Sequence, residues 1–314
     1  MTGGRGGGKG DVTEQTTRFV LRVPGDFDFW CTATSHGWCA LPPFAHAPGR
    51  RELSRVLSLS GGPLVLCRMR ECRSGISVHA TSPHPLTPAQ RGDTASGLRT
   101  CLRLDEDFTS FHAEARKHPE YRWIAHRRSG RLLRSPTMFE DALKMICTTN
   151  CTWALTTLMV TNLVRLAGRM SNGAQAFPDA AAIAGLSEGS LRKEFKTGYR
   201  SPYILELAQR VAGGSLDVES WRTSPLPTED LFQAITRVKG IGPYAAGNLL
   251  KLTGRYEHLG LDSWVRGRYF ALHRNGRKVK DRTIEHEYEH LGKWRGLFFW
   301  LEMTKDWQMG VDAA

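Results

Sequence analysis

The residues whose types and spacing best suit chemistry lie in two short segments, a glycine turn at Gly240-Ile241-Gly242 and a lone carboxylate at Asp262. Apolar stretches with helical spacing flank the turn, and Pro243 suits the first position of the second helix, where its missing N–H costs nothing. The free N–H groups at that helix start favour an anion such as a phosphate. The segment therefore predicts a helix–hairpin–helix that binds phosphate without reading sequence, with an ordinary tight turn between two helices as the alternative.

The carboxylate of Asp262 has two compatible roles. The residue follows the apolar Leu261 and precedes a stretch with helical character, so its simplest role is to cap that helix. A carboxylate at a helix start beside a phosphate-binding hairpin would also face a distorted nucleotide. There it would stabilise positive charge on a sugar or activate a water molecule. We predict that Asp262 caps its helix and takes part in chemistry.

The chain carries an excess of positive charge, with 43 Lys and Arg residues against 31 Asp and Glu residues and a formal net charge of +12. This excess favours a polyanionic partner, and nucleic acid above all, because each neutralised phosphate releases counterions. A basic enzyme that binds no nucleic acid is the alternative. A basic run that includes Arg266 and Arg268 follows Asp262, and its position predicts a surface that contacts a nucleic-acid backbone.

The cysteines predict neither a disulfide framework nor an iron–sulfur cluster near the C-terminus. There are seven of them at irregular spacing, and none follows Cys151. A protein inside the cell is the expectation that follows. No apolar run reaches the ~18 residues that a membrane helix needs, so we expect no membrane partner.

The elements that hold these residues change character near residue 104. Residues 1–15 are predicted as a flexible Gly-rich tail. In 16–104, short β-branched or apolar runs predict an antiparallel sheet, because their connections are too short for helical crossovers. The Pro-, Thr- and Ser-rich stretch 81–97 is predicted as a loop. Residues 105–314 show successive helical patterns without strand signals, which predicts a helical domain. The fold class is therefore α+β.

Local signals place several of the predicted helices. Ser135 is predicted to cap the helix whose apolar face includes Met138 and Ile146, because Pro136 and two acids follow it. In the N-terminal part, Trp30 and Trp38 either border a pocket or only cover the sheet. The remaining helical patterns cover 107–118, 152–167, 179–184, 187–195, 201–212 and 228–237.

The hairpin Val238–Ala246 followed by Asp262 resembles the hairpin, Gly/Pro-rich loop and aspartate of the helix–hairpin–helix DNA glycosylase superfamily, which is also called HhH-GPD. Ile146–Asn150 resembles the matching turn of 8-oxoguanine DNA glycosylases, and so does the segment 191–203. The resemblance covers roughly residues 104–270, and it implies that the helical region 105–314 forms two subdomains with a cleft between them. An N-terminal β domain fits two branches, the 8-oxoguanine enzymes and the 3-methyladenine DNA glycosylase II type.

The resemblance implies roles for the matched residues. Asp262 would be the catalytic residue. Asn150 would fill the gap left by a flipped nucleotide, and Tyr199 would wedge against the opposite strand. Without the resemblance, Asn150 is explained equally well as a turn cap, and the alternative for Tyr199 is a partly buried packing aromatic. Further DNA contacts would come from Arg200, Gly240, Gly242 and Ala245. The carbonyls of Thr236, Val238 and Ile241 would bind a structural Na⁺ or K⁺ that bridges to phosphate, and no catalytic cofactor is implied.

The departures from the family pattern concern the base pocket. Bifunctional members carry a lysine two residues after the second hairpin glycine, and Tyr244 stands there instead. A phenol cannot form an imine, so we expect no lyase activity. An aromatic at this position resembles the 3-methyladenine enzymes, where it lines the pocket. Asn248 and Trp264 replace the pocket cysteine and the histidine of 8-oxoguanine enzymes. Lys251 is predicted as a solvated or phosphate-facing lysine rather than a displaced nucleophile.

The sequence therefore predicts a monofunctional DNA glycosylase of base excision repair, which flips a damaged purine and hydrolyses its N-glycosidic bond with Asp262. An alkylated purine is the first choice, because cationic bases leave readily and aromatic walls suit them. The alternatives are an 8-oxoguanine-type glycosylase, a glycosylase for pyrimidine mismatches and a non-catalytic DNA-binding protein of the same fold. We expect a monomer that binds damaged double-stranded DNA in a bacterial nucleoid or a eukaryotic nucleus.

Overall fold

The computed structural model describes residues 14–309 and confirms the predicted α+β class, with an antiparallel sheet followed by helices. The spatial order of the sheet is β1-β5-β4-β3-β2, and every neighbouring pair is antiparallel. The strands are β1 (Gln15–Leu21), β2 (Phe44–Ala47), β3 (Glu52–Ser58), β4 (Leu64–Cys72) and β5 (Gly75–Ser82).

Side-chain alternation sets which face of the sheet is buried. In β4, Val65, Cys67 and Met69 are buried, whereas the intervening Arg68 and Arg70 are exposed. Successive side chains of a strand point to opposite faces, so this pattern buries one face against the helices. The sheet therefore presents its apolar face to the rest of the chain.

Residues 81–97 were predicted as a loop, and that prediction is wrong. Thr81 and Ser82 complete β5, and a helix begins at Pro88. Thr87 caps this helix in a capping box, in which the Gln90 N–H donates to the Thr87 hydroxyl at 3.2 Å and the Thr87 N–H donates to the Gln90 side chain at 3.1 Å. The Pro-, Thr- and Ser-rich composition concealed a helix-start signal at Thr87–Gln90.

Helices form most of the chain after the sheet, and a short antiparallel ribbon of β6 (Met170–Ser171) and β7 (Ala174–Gln175) interrupts them where no strand was expected. None of the helices between residues 14 and 309 is long and apolar enough to cross a membrane. The helices are α1 (Phe29–Ala33), α2 (Pro88–Leu102), α3 (Thr109–Lys117), α4 (Arg122–Arg127), α5 (Met138–Thr148), α6 (Trp153–Ala167), α7 (Ala180–Ala184), α8 (Glu188–Lys193), α9 (Ser201–Ala212), α10 (Thr228–Thr236), α11 (Pro243–Thr253), α12 (Ser263–Arg274), α13 (Asp281–Tyr288), α14 (Arg295–Met303) and α15 (Lys305–Met309).

Helix α5 begins later than predicted. Its capping residue is Thr137 rather than Ser135, and the Thr137 hydroxyl accepts from the Glu140 N–H at 3.3 Å. The carboxylate of Glu219 accepts the free N–H groups of Met138 and Phe139 at 2.9 and 3.0 Å. A carboxylate from a distant segment therefore completes this helix start, which a local sequence signal does not reveal.

One continuous cluster of buried side chains joins the sheet to the helices. The Trp38 indole N–H donates to Asp141 of α5 at 2.8 Å, and Arg55 of β3 forms two hydrogen bonds with Glu140 of α5. The domain boundary near residue 104 stays a prediction. Of the predicted tail, residues 1–13 lie outside the described residues, and Gln15 begins β1.

Candidate active site

A cavity of about 870 Å³ lies between the segment that follows α1 and the helices α5, α6, α11, α12 and α14. Its walls are mainly apolar and include six tryptophans, and Asp262 is the only carboxylate among the described residues that line it. A concave, largely apolar site with a few polar groups is the usual form of a small-molecule or base pocket. Its aromatic and ionisable lining residues include Trp30, His36, Trp38, Trp153, Tyr244, Lys251, Asp262, Trp264, Trp300 and Trp307.

Asp262 occupies the position expected from the sequence, at the start of α12 and at the cavity wall. Its Oδ1 accepts the Val265 N–H at 2.8 Å, so the residue caps α12. The carboxylate also lies close to the phenol of Tyr244: burial first, and then the charge of Asp262, raise the pKa of that phenol. One carboxylate oxygen is thus held by the helix cap while the group borders the cavity.

The loop that leads to Asp262 is held in place by the start of α14. The Gly296 N–H donates to the Tyr256 carbonyl at 2.7 Å. A Cβ at Gly296 would lie 2.2 Å from the carbonyl oxygen of His258, so a larger residue would push this loop away. The guanidinium of Arg295 also donates to the carbonyl of Glu257. Helix α14 therefore positions the loop that carries Asp262.

Helix α11 presents a polar stripe to the cavity, made of Tyr244, Asn248 and Lys251. Residues at this spacing lie on one face of a helix. The Asn248 amide donates to the Tyr244 carbonyl at 3.0 Å, and the Lys251 ammonium donates to the Asn248 side chain at 3.1 Å and to the Leu259 carbonyl at 2.6 Å. The predicted pocket positions of Tyr244 and Asn248 therefore lie on the cavity wall.

The prediction that Lys251 is solvated or faces phosphate is wrong. Its side chain is only 1% exposed, and burial lowers its pKa to about 7. Gly260 makes this possible: its φ is +65°, and a Cβ there would lie 2.8 Å from the Lys251 nitrogen. The loop of Leu259 and Gly260 thus closes over the lysine, and sequence spacing along α11 gave no sign of that cover.

The N-terminal segment supplies the opposite wall. The sequence left open whether Trp30 and Trp38 border a pocket or only cover the sheet, and both border the cavity. The Nε2 atom of His36 lies 2.6 Å from the Leu133 carbonyl oxygen. Because a carbonyl oxygen can only accept a hydrogen bond, this nitrogen carries the proton and donates it. Burial lowers the pKa of His36 to about 4, so the ring is neutral at pH 7. A Cβ at Gly37 would lie 2.3 Å from the indole of Trp153, which packs across from α6.

Trp264 stands at the mouth of the cavity beside two tryptophans from the C-terminal end of the chain. Its ring is 44% exposed and lies 5.1 Å from the ring of Trp307 and 6.3 Å from that of Trp300. The Trp300 indole N–H donates to the Ser35 carbonyl at 3.1 Å, which ties α14 to the N-terminal wall. Sequence reasoning missed Trp300 and Trp307, because neither belongs to a local motif.

The predicted hairpin joins α10 to α11, and its two glycines differ in what they require. Gly240 has a φ of +86°, and a Cβ there would lie 2.7 Å from Tyr203, so glycine is needed for the turn and for packing. Gly242 has a φ of −84° and open space where a Cβ would be. Ile241 is buried between the helices as predicted. The Ala245 methyl group is buried too, so Ala245 can offer a ligand only its backbone N–H, in the first turn of α11.

Solved structures similar to this chain include DNA glycosylases. A 3-methyladenine DNA glycosylase from Archaeoglobus fulgidus aligns with a TM-score of 0.71 at 19% identity, over 92% of this chain and 98% of that one. An 8-oxoguanine glycosylase/lyase from Clostridium acetobutylicum aligns with a TM-score of 0.71 at 17% identity, over 93% and 97%. The chain has the fold of these DNA glycosylases.

Schizosaccharomyces pombe 3-methyladenine DNA glycosylase in complex with abasic DNA is also similar, with a TM-score of 0.50 at 15% identity, over 63% of this chain and 97% of that one. No family model matches the sequence, and no curated protein matches it. The likeness therefore concerns the fold, and it includes proteins named for two different damaged bases.

The turn after α5 brings Asn150 and Tyr199 together, and their predicted roles on DNA stay predictions. Asn150 has a φ of +46°, and its amide donates to the Tyr199 hydroxyl at 3.3 Å. Both side chains are exposed. Arg200 differs from its prediction: it is 3% exposed and donates to the carbonyl and hydroxyl of Thr149. Its guanidinium is therefore committed to holding the Asn150 turn and is a positioning group rather than a surface contact.

The basic run after Asp262 is partly neutralised within the chain. Arg266 forms two hydrogen bonds of 2.7 Å with Asp281, and Arg268 is paired with Asp306. These two predicted backbone contacts therefore already have anionic partners. Other cations of the run form no ion pair within residues 14–309 and are exposed, namely Arg277, Lys278, Lys280 and Arg282.

The hairpin also carries the three carbonyls predicted to hold a monovalent cation, those of Thr236, Val238 and Ile241. The Val238 carbonyl accepts from the Ile241 N–H at 3.0 Å, which leaves it a second lone pair. Within the described residues 14–309, no group of three or more His, Cys, Asp and Glu side chains is placed to hold a metal ion.

Proposed function

We propose that the protein is a monofunctional DNA glycosylase, which receives an extruded, damaged purine in the cavity and hydrolyses its N-glycosidic bond with Asp262. The observation that carries this proposal is that one cavity is lined both by Tyr244, two residues after the glycine turn, and by Asp262, twenty residues after it. A phosphate bound at the start of α11 would place the adjoining nucleotide beside the carboxylate. The fold of known DNA glycosylases supports the same activity.

The chemistry assigned to Asp262 is electrostatic. As the C1′–N9 bond breaks, its electron pair leaves with the purine and positive charge develops on the sugar. A fixed carboxylate stabilises that charge, because its orientation is set in advance by the bond from the Val265 N–H. Water then adds to C1′ and gives up a proton to Asp262, the only carboxylate among the described lining residues, which returns the proton to the departing base. The products are a free base and an abasic site.

The absence of lyase activity belongs to the same proposal. A lyase of this fold forms an imine between an amine and the sugar, and Tyr244 holds the position where the sequence pattern of bifunctional enzymes has lysine. The Lys251 amine is held by Asn248 and Leu259 in the cavity wall. We therefore assign hydrolysis alone to this site.

We assign the DNA contacts of the monomer to exposed side chains outside the cavity. Asn150 and Tyr199 are exposed and bonded to each other, so together they can occupy the gap that an extruded nucleotide leaves. The exposed cations of the run 277–282 would follow the phosphate backbone. The carbonyls of Thr236, Val238 and Ile241 are hard oxygen ligands that would suit Na⁺ or K⁺ beside the bound phosphate.

A panel of DNA duplexes, each with one damaged or mismatched base, tests the proposal directly. We expect release of a base from at least one duplex that carries a single damaged purine, with strand breaks that appear only after alkali. Breaks without alkali would contradict the assignment of hydrolysis alone. Duplex binding without base release across alkylated, oxidised and deaminated purines would favour the non-catalytic DNA-binding alternative, and activity confined to pyrimidine mismatches would replace the purine assignment.

Replacement of Gly242 by alanine should weaken binding to duplex DNA about tenfold, or ~1.4 kcal/mol, with little change in thermal stability. The added methyl group meets no protein atom within 4 Å and lies at the N-cap of α11, beside the N–H groups that a phosphate would approach. Fluorescence anisotropy with a labelled duplex measures the affinity. Gly185→Ala, at a negative φ outside the hairpin, is the control. Equal affinities of the two variants would contradict a phosphate site at this turn.

A further inference from the structure

We propose that Lys251 donates a hydrogen bond to the extruded base, and so selects a neutral purine with an acceptor atom at that edge over a cationic alkylated purine. The inference rests on the proposed function and deepens it by assigning the substrate class. It reverses the expectation from sequence that alkylated purines come first. The residue acts on the leaving base, whereas Asp262 acts on the sugar.

The geometry of the polar stripe carries this proposal. Lys251 lies seven residues after Tyr244, which corresponds to about 10 Å along α11. Its nitrogen is held by the Asn248 side chain at 3.1 Å and the Leu259 carbonyl at 2.6 Å. An ammonium has three N–H donors, so one remains for a ligand. A donor fixed by two acceptors in a cavity wall is organised for recognition, and it is poorly suited to swing out and attack a sugar carbon.

The balance of charge in the cavity supports the same conclusion. Asp262 is the only carboxylate among the described lining residues, and it is placed for the sugar. His36 is neutral, and the buried Tyr244 phenol keeps its proton because its pKa is raised. A cationic base in the cavity would therefore face the ammonium of Lys251 with no second anion to offset the repulsion. A neutral base with a carbonyl oxygen or ring nitrogen would gain a charge-assisted hydrogen bond.

Of the ionisable groups around Lys251, Asp262 is the one that offsets burial and favours the ammonium. The loop that leads to Asp262 also carries Arg255, Tyr256, Glu257 and His258. At the end of α2, Arg103 donates to the Lys251 carbonyl at 2.8 Å, and Arg134, which precedes α5, donates to the Leu252 carbonyl at 2.9 Å. Burial has the largest effect and brings the pKa of Lys251 to about 7, so the two protonation states are both populated near neutral pH.

The chemical consequence is a stabilised leaving group. When the C1′–N9 electron pair moves to the purine, negative charge spreads to its acceptor atoms. The Lys251 ammonium stabilises this charge through its hydrogen bond and keeps its proton, so the step needs no further reactant. The protonated lysine is present below pH 7 and is lost above it. Base release from a neutral purine should therefore slow as the pH rises through about 7, whereas release of a cationic purine should not.

The experiment compares wild type with Lys251→Met on single-lesion duplexes that carry either 8-oxoguanine or hypoxanthine, which are neutral, or N7-methylguanine. N7-methylguanine is cationic only until it loses its N1 proton near neutral pH, so the cationic and neutral bases are compared at the acid end of the range. Single-turnover rates are measured from pH 5.5 to 9. We expect Lys251→Met to slow release of the neutral purines at least about tenfold, to leave or raise the rate for N7-methylguanine, and to remove the fall in rate above pH 7. Lys251→Gln, which keeps a donor without the charge, should retain part of the neutral rate without the pH dependence.

Three outcomes overturn the inference. An unchanged ratio of neutral to cationic rates in both variants would show that Lys251 does not select by charge. A borohydride-trapped adduct between DNA and wild type that Lys251→Met abolishes would make Lys251 a nucleophile instead. If wild type cleaves none of the duplexes after alkali, the proposed function fails and this inference with it. The matched control is Lys117→Met, whose side chain is 67% exposed on α3 and does not line the cavity.

Discussion

Replacement of Asp262 by asparagine will slow base release by at least about 10³-fold, equivalent to ~4 kcal/mol of transition-state stabilisation, while DNA binding and folding are retained. Asparagine keeps the side-chain oxygen that accepts the Val265 N–H, and asparagine and aspartate cap helices about equally well. It removes the negative charge that stabilises the sugar. The substitution therefore separates the capping role from the chemical role.

Single-turnover kinetics on the best lesion duplex, together with anisotropy and thermal unfolding, measure the three properties. Asp179→Asn is the matched control, because Asp179 caps α7 through a bond of the same 2.8 Å length from the Ala182 N–H and does not line the cavity. Asp262→Ala should lose activity and also stability, since it removes the cap. A turnover rate for Asp262→Asn within tenfold of wild type would remove Asp262 from the mechanism.

The second large effect concerns stability and arises from a buried cluster of charged side chains. We expect Glu140→Gln to lower the free energy of unfolding by about 3–5 kcal/mol. Glu140 accepts two hydrogen bonds from Arg55, at 2.7 and 2.5 Å, and its carboxylate lies 2.6 Å from the Lys144 nitrogen. All three side chains are at most 2% exposed. Glutamine has the same shape but no charge, so two buried cations would lose the anion that contacts them both.

Denaturant titration measures this loss, and Glu188→Gln provides the control. Glu188 is paired with Arg192 at 2.6 Å along one face of α8, but both side chains are about half exposed, so its replacement should cost no more than ~0.5 kcal/mol. Similar losses in the two variants would show that the buried cluster adds nothing beyond a surface pair.

Acid titration checks the same cluster independently. The adjacent Arg55 and Lys144 lower the pKa of Glu140 to about 2, despite the opposing effect of burial. An unfolded glutamate titrates near ~4.3. A lowered folded-state pKa contributes stability that is complete above the unfolded pKa and is lost as the pH falls from about 4 to 2. Wild type should therefore lose stability steeply in this interval, and Glu140→Gln should lose less.

The sequence predicts those parts of the fold that depend on neighbours along the chain. Helix α9 matches its predicted bounds, and α6 begins one residue later than predicted because Thr152 is its cap. The Gly240–Gly242 turn and Asp262 were found because each combines a conformational requirement with a cap or helix start. Helix α2 was missed, since its capping box stood in a Pro- and Ser-rich stretch that also fits a loop.

The cavity is less predictable, because its walls come from segments far apart in sequence. Trp38 and Trp300 face the same space although 262 positions separate them. Lys251 was misplaced for the same reason: its burial depends on the Leu259 carbonyl and the loop at Gly260, which lie beyond the helix that carries it. Arg200 was assigned to the surface, but the Thr149 carbonyl holds it inside. Side-chain partners across such distances are set by tertiary packing.

The concentration of indoles around the cavity has an optical consequence. Six of the nine tryptophans of the chain border this one space: Trp30, Trp38, Trp153, Trp264, Trp300 and Trp307. The intrinsic emission of the protein therefore originates largely at the place where a base would be received. A purine stacked among these rings would quench that emission, so stopped-flow fluorescence without any label can time the arrival of the base separately from its release.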